Sequence, residues 1–303
     1  MEFEKRQEIF PDFEKEEGAK DELVLVPLDS ELWEIYRGAY GNVSREVAIL
    51  MGEPILEPQK KLRRLDMEEK EDYRIAFDNL SENLMHQMSF YEAAWLVMPY
   101  AVSLLEQKAA DHDFEQQFSL ILEMGTWLTM DIPYNHMKGT ENNGILENYN
   151  KSVRRLQGIV KNFLKLHLEE IRQKDAQEKT VFLTGVLAIL GDREAAFVLA
   201  SSMWDTSYPT AYMYCDECED CNEDIEFSDS DECEEIIPAP SVLGKWDGTS
   251  LEDTYLWFSN LLAMAGADRE VKLLSYYYGT YECPECGNKK QVMELMKNYC
   301  FGE

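Results

Sequence analysis

The sequence predicts an all-α fold of stacked helical hairpins, and three observations carry that prediction. Apolar residues recur at helical spacing through most of the first 204 positions. Strand signals are scarce over the same stretch. A short internal echo then repeats one helix-turn-helix unit, the mark of a repeat architecture.

The elements follow in order. Residues 1–22 are charged and lack a period, which predicts a loosely held acidic arm. The run LVLVPL at 23–28 reads as extended. SELWEIYRGAYG reads as a helix. Ser30 is a natural N-cap, Leu32, Trp33, Ile35, Tyr36 and Tyr40 fall near one face, and Gly41 supplies a left-handed stop. SREVAILMG repeats that grammar in shorter form and stops at Gly52. Beyond a connector with Pro54 and Pro58, the spacing of Tyr73, Ala76, Phe77, Leu80, Leu84 and Met88 predicts a helix over 67–88. Helices over 90–108 and 114–130 come next. Pro99 sits inside the first of these, where its missing donor and its clash with the preceding turn predict a bend or a break. The longest pattern spans 144–174, from Ile145 through Val153, Val160 and Leu168 to Ile171. Shorter helices follow at 178–190 and 193–204. Sequential amphipathic helices with short links stack as pairs into solenoids.

The totals bound the function. Of 303 residues, 45% are hydrophobic and 12% aromatic, enough for a sizeable core. Acids outnumber bases 59 to 29, for a net charge of -30. Such a field repels nucleic acid and anionic membrane, and it draws in cations and basic proteins. The first residues carry acids where a signal peptide needs bases and an apolar run, and no stretch is apolar enough for a membrane helix, so the expected location is cytoplasmic.

The echo places the cysteines. LAILGDREAAFVLASSMW begins at Leu187 and LAMAGADREVKLLSYYYG at Leu262. Each reads as a helix end, a glycine turn and a second helix. Asp192 and Asp268, 76 residues apart, are the expected N-caps, with Glu194 and Glu270 in the first turns. A cysteine pair follows each unit: YCDECEDCNEDIEF after the first, YECPECGNKK after the second. Stacked hairpins put the ends of equivalent helices side by side, so knuckles carried on those ends meet.

Four thiolates suit tetrahedral zinc, and a CxxC turn lets two sulfurs share one ion. The residue after the second Cys needs a positive φ, which Gly287 adopts freely and Asn222 tolerates. By that argument Cys218 and Cys221 pair with Cys283 and Cys286, and Cys215 is the alternative ligand. A catalytic zinc needs an open position, and no His lies near these cysteines, so the expected role is structural. The competing reading is free thiols or a facultative disulfide. The resulting organisation is an arm at 1–22, a helical-repeat domain at 23–210, an acidic Cys-rich insertion at 211–250 and a final hairpin at 251–303 with the second knuckle. Of the 21 residues from Cys215 to Glu235, 12 are Asp or Glu, without the spacing of a calcium loop, which reads as a solvated segment. Cys233 looks idle within it, and Cys300, behind an apolar stretch, reads as a buried thiol.

None of the four His residues, His86, His112, His136 and His167, sits in a catalytic motif. His86 with Glu92 is the one acid–base pairing the sequence offers. A His at a helix junction is more often a packed residue.

ELWEIYRGAYGNVSREVAIL and IAFDNLSENLMHQMSFYEAAWLVMPYAVSLL together resemble the opening of a group of bacterial HEAT-like repeat proteins. The resemblance rests on Trp33, Tyr40, Gly41, His86, Gln87, Tyr91, Glu92, Ala93, Pro99 and Leu104, and it covers about the first third of the chain. Met88 stands where that pattern has Gly. The CPxCG segment likewise resembles half of a zinc ribbon. The likeness implies a HEAT-like α-solenoid that binds other proteins on its concave face, and some members look like immunity proteins of toxin systems. The expected function is therefore a non-enzymatic, acidic protein-binding module with structural zinc and a basic protein partner. The alternatives are an enzyme of unrecognised type near His86 and Glu92, or a metal-responsive regulator using the Cys cluster.

Overall fold

The computed structural model describes residues 22–57, 59–61, 73–132, 143–204, 209–213, 224–226, 233–248 and 250–302. Of these, 64% are helical, so the helical expectation holds, and small antiparallel sheets account for the strands. The chain forms two compact units divided between Val160 and Lys161, a boundary inside a helix rather than at a change of composition. Among the described residues no helix is long and apolar enough to cross a membrane.

The first unit begins with an extended strap. The Asn148 side chain substitutes for a neighbouring strand, donating to the Val24 carbonyl at 2.9 Å and accepting from its N–H at 3.0 Å. Helices α1 (Leu32–Ile35), α2 (Ser44–Met51), α3 (Tyr73–Leu84), α4 (Ala93–Ala110) and α5 (Phe114–Met130) follow, with the start of α6 (Asn143–Arg172). α2 packs on α3 and α4 on α5, and the two pairs meet through α2–α4 and α3–α5. α4 is apolar on nearly every side and correspondingly buried, the signature of a central helix. It runs through Pro99 without ending there. Trp33, Trp127, Phe90 and Phe118 are fully buried around it.

The first predicted helix is much shorter than expected. It ends at Ile35, and Tyr36 is already extended. The reason is a tertiary capture by Asn83 of α3. Its carbonyl accepts from Ala39 N–H at 2.8 Å and its Oδ1 from Tyr40 N–H at 3.0 Å. Asn83 comes so close that a Cβ on Gly38 would lie 2.8 Å from it. Gly41, at φ 119°, closes this loop against Gly38 and caps no helix. Gly52 does act as the expected left-handed stop, at φ 68°.

Between α3 and α5, Ser81 Oγ donates to Glu123 at 2.6 Å and accepts from Trp127 Nε1 at 3.3 Å. Burial holds the Glu123 pKa above its ordinary 4.5, against the opposing Ser81 bond and with the smallest push from Asp78. A raised carboxylate pKa means the fold favours the protonated form, so this contribution is present at acid pH and lost as pH rises through 4.5 to the raised value. Glu123→Gln keeps the acceptor without the charge. Thermal melts at pH 7 should place this variant above the parent by about 1 kcal/mol, with the gap closing toward pH 4.

The second unit holds the end of α6, then α7 (Ala176–Leu190), α8 (Arg193–Met203), β1 (Thr210–Tyr212), β2 (Asp224–Glu226), β3 (Ile236–Ile237), α9 (Thr254–Met264), α10 (Asp268–Tyr277), β4 (Thr280–Glu282), β5 (Lys289–Gln291) and α11 (Val292–Phe301). Asp175, Asp192 and Asp253 cap α7, α8 and α9, each accepting from the N–H three residues on at 2.9 Å. Asp268 does not cap α10. The second copy of the echo has one more residue between its glycine and its aspartate, so Ala267 takes the cap position and Asp268 enters the first turn. The two hairpins, α7–α8 and α9–α10, lie side by side. Thr180 Oγ1 donates to buried Glu270 at 3.2 Å, and Arg172 Nε donates to the Met264 carbonyl at 3.1 Å. α11 packs on α8, with Lys297 reaching Glu194 at 3.2 Å.

Candidate functional site

Each copy of the helix pair runs into a β-hairpin, and each hairpin brackets a cysteine segment. β1 and β2 pair with Tyr212 opposite Asp224, and β4 and β5 with Glu282 opposite Lys289. The second bracket encloses Cys283 and Cys286. Cys283 N–H donates to the Asn288 carbonyl at 2.9 Å, continuing the ladder by one position, and Gly287 N–H donates to the Cys283 carbonyl at 2.8 Å. Gly287 adopts φ 72°, as the sequence argument requires. Cys283 is buried and Cys286 exposed, so the turn offers one sulfur from inside and one from the rim.

Cys215, Cys218, Cys221 and Asn222 lie outside the described residues. Among the described residues no group of three or more His, Cys, Asp or Glu side chains is arranged to hold an ion. The roots of the two hairpins are described, and they are neighbours. Tyr277 near the end of α10 donates to the Ser202 carbonyl near the end of α8, at 3.5 Å in a buried setting. α11 starts directly from β5, and its Tyr299 stacks on Tyr212 of β1 with ring centres 5.8 Å apart. The register also aligns the pairs. Cys286 precedes the start of β5 by three residues, and Cys221 precedes the start of β2 by the same three. Cys218 then matches Cys283, and Cys215 falls in residues 213–217, which have no counterpart in the second hairpin.

Two thiols outside the CxxC segments are described, Cys233 and Cys300. Cys233 is buried and not idle in a solvated loop, as its acidic surroundings suggested. It donates to Glu235 at 3.0 Å, and burial with that carboxylate pushes its pKa up to about 12. Burial also raises Cys300, against a smaller opposing bond from Ser201.

His86 follows α3. Its Nδ1 lies 2.5 Å from Glu82 Oε1, and the Tyr40 hydroxyl lies 3.1 Å from Nδ1 and 3.3 Å from Nε2. The sequence argument looked to Glu92; the four-residue spacing of Glu82 and His86 was the overlooked signal. Glu92 itself is buried at the N-terminus of α4. His112 ends α4 in a left-handed conformation, His167 meets Glu170 at 3.1 Å, and His136 lies outside the described residues. After His86, Gln87 and Met88 both adopt positive φ, 52° and 59°. Met88 therefore holds the backbone shape in which the resemblance pattern has Gly. Left-handed backbone in a side-chain-bearing residue costs about 1 kcal/mol. Met88 is exposed, so Met88→Gly should raise the urea midpoint by about that free energy with no loss of packing.

A cavity of the first unit, bounded by Val47, Phe77, Leu80, Tyr100 and Trp127, measures about 10 Å³, room for one water at most, and its lining is apolar. It is a packing gap and not a ligand site. Comparison with protein-family models, with curated proteins and with solved structures returns no match.

Proposed function

We propose that this chain is a non-enzymatic protein-binding module. In this reading the helical hairpins form a HEAT-like stack, and structural zinc on Cys218, Cys221, Cys283 and Cys286 clasps the two hairpin tips of the second unit. The acidic surface engages a basic protein, and neutralising a basic toxin is the sharpest form of that role. The observation that carries the partner reading is the net charge of -30. Complementary charge speeds encounter and weakens with salt. The zinc reading is supported by the left-handed Gly287 turn and by the neighbouring roots of two hairpins with matching Cys offsets. Four thiolates leave no open position, which favours a structural over a catalytic ion.

Capture from an extract of the native cell at low and at high salt tests the partner reading. A basic protein retained at low salt and released at high salt is expected; its absence at low salt ends this reading. The His86–Glu82–Tyr40 cluster beside a strained turn favours a second reading, an enzyme of unrecognised type. Loss of a measured turnover in His86→Gln, with an unchanged melting temperature, would establish it. A metal-responsive role requires zinc that leaves quickly under a weak chelator, whereas structural zinc persists through dialysis.

A further inference from the structure

Arg45 is the second residue of α2, and the fold buries it. It is 8% exposed, although arginine is almost never placed inside a protein without a counter-charge. A guanidinium does not shed its proton in a protein, so burial leaves a full positive charge to be answered. Among the described residues nothing answers it. Nη1 donates to the Gln59 carbonyl at 3.4 Å, a long contact to a neutral oxygen. Nε is buried with no hydrogen-bond partner. No carboxylate of the described residues forms an ion pair with the group. Acids are plentiful in this chain, and Arg37, Arg155 and Arg172 each meet a glutamate. Arg45 is the exception among these four, and it is the buried one.

The neighbouring groups are already committed. Buried Gln59 directs Nε2 to the Leu28 and Ser44 carbonyls, at 3.2 and 3.3 Å, and its Oε1 accepts from Leu56 N–H at 2.7 Å. Asn42 Oδ1 accepts from Ser44 N–H at 2.9 Å. The N-cap, Val43, has no side-chain acceptor, and Arg45 N–H has no partner among the described residues. An unanswered first-turn N–H at the positive end of α2 adds to the field of the guanidinium.

The shape of the group fixes what it takes. Nε and Nη2 share one edge of the plane, and that edge meets two oxygens of a carboxylate or phosphate at once. Gln59 holds Nη1, on the other side, so the bidentate edge is the open one. Nη2 is neither bonded nor fully buried, which leaves the edge an opening to solvent. We infer that Arg45 anchors an oxyanion site in the first unit, which takes the carboxylate or phosphate group of a small molecule on the Nε–Nη2 edge. The inference stands apart from the protein-binding reading, because it needs no partner chain. The net charge of -30 opposes any anion at long range, so recognition comes from the short, desolvated fork.

The test uses the full chain, with its native metal content, in a buffer free of oxyanions. Inorganic phosphate and acetate are the probes, and chloride at equal ionic strength is the blank. The Arg45 Nε–H resonance, assigned by its loss in Arg45→Lys, should shift saturably with at least one probe, and the probe acting at lower concentration tells phosphate from carboxylate. Arg45→Lys keeps the charge without the fork and should weaken binding by about tenfold or more. Arg45→Met removes the charge. It should melt above the parent without oxyanions, because a buried unpaired charge has gone, and the effective probe should then raise the parent's melting temperature more than the variant's. A resonance that neither probe moves beyond the chloride blank overturns the inference, as happens if the chain's own acids fill the fork. A parent that already melts above Arg45→Met in the oxyanion-free buffer also overturns it. Equal stabilisation of parent and Arg45→Met by the probes overturns it as well, since that is a general salt effect.

Discussion

Removing zinc from the purified chain is expected to unfold the C-terminal region of the second unit. A strong chelator, or Cys286→Ser, should abolish amide protection in β4, β5 and α11 and lower the melting temperature. Metal analysis should find one zinc per chain in the parent. Cys233→Ser and Cys300→Ser should keep that stoichiometry, since neither belongs to a CxxC turn. Cys215→Ser should keep it too, because residues 213–217 have no equivalent in the second hairpin. The expected size follows from magnitudes. Structural zinc contributes roughly 10 to 16 kcal/mol of apparent binding free energy, whereas a whole domain is stable by only about 5 to 15 kcal/mol. The five strands among the described residues run two or three residues each and bury little apolar surface of their own. Thiolate ligands must lose protons, so retention of the metal should fail as pH falls. A chain that binds no zinc, or whose melting temperature ignores the chelator, would refute the clasp.

Trp257→Ala should be the most damaging single core substitution in the same unit, at about 3 to 5 kcal/mol. Trp257 on α9 is fully buried and packs against Phe258 and the turn between α7 and α8, where a Cβ on Gly191 would lie 3.4 Å from its ring. The side chain therefore joins the two copies of the echo. Its indole N–H has no hydrogen-bond partner among the described residues. An orphaned buried donor costs about 1 to 3 kcal/mol, and Trp257→Phe removes it while losing some volume. The phenylalanine variant should thus stay within about 1.5 kcal/mol of the parent. Urea unfolding of the two variants measures the difference. Equal losses in both would refute the reading that the site needs a large ring and gains nothing from the unpaired nitrogen.

Local signals were legible where they were strong. The reading of 114–130 matches α5 at both ends, because apolar spacing, the Asp113 cap and the large side chains agree. The glycine after Cys286 announced its own backbone conformation. The pairing of knuckles was approached through the echo, and the ends of α8 and α10 are neighbours in the second unit. The Tyr40 loop went unread because Asn83, 43 positions away, outcompetes the local helix.

Taken by itself, the sequence determined where most helices form, that Asp192 caps one of them, and where a left-handed glycine must follow a cysteine. Each of those depends on neighbours within one turn of chain. Only the tertiary structure decided that Ala267 displaces Asp268 from a cap, that Glu82 and Tyr40 take His86, and that the ends of α8 and α10 adjoin. Residues 46 and 75 positions apart meet in the last two. The physical reason is that such contacts carry no local period: they form when buried area and backbone hydrogen bonds outweigh the entropy of closing long loops, and that balance exists only in the assembled core.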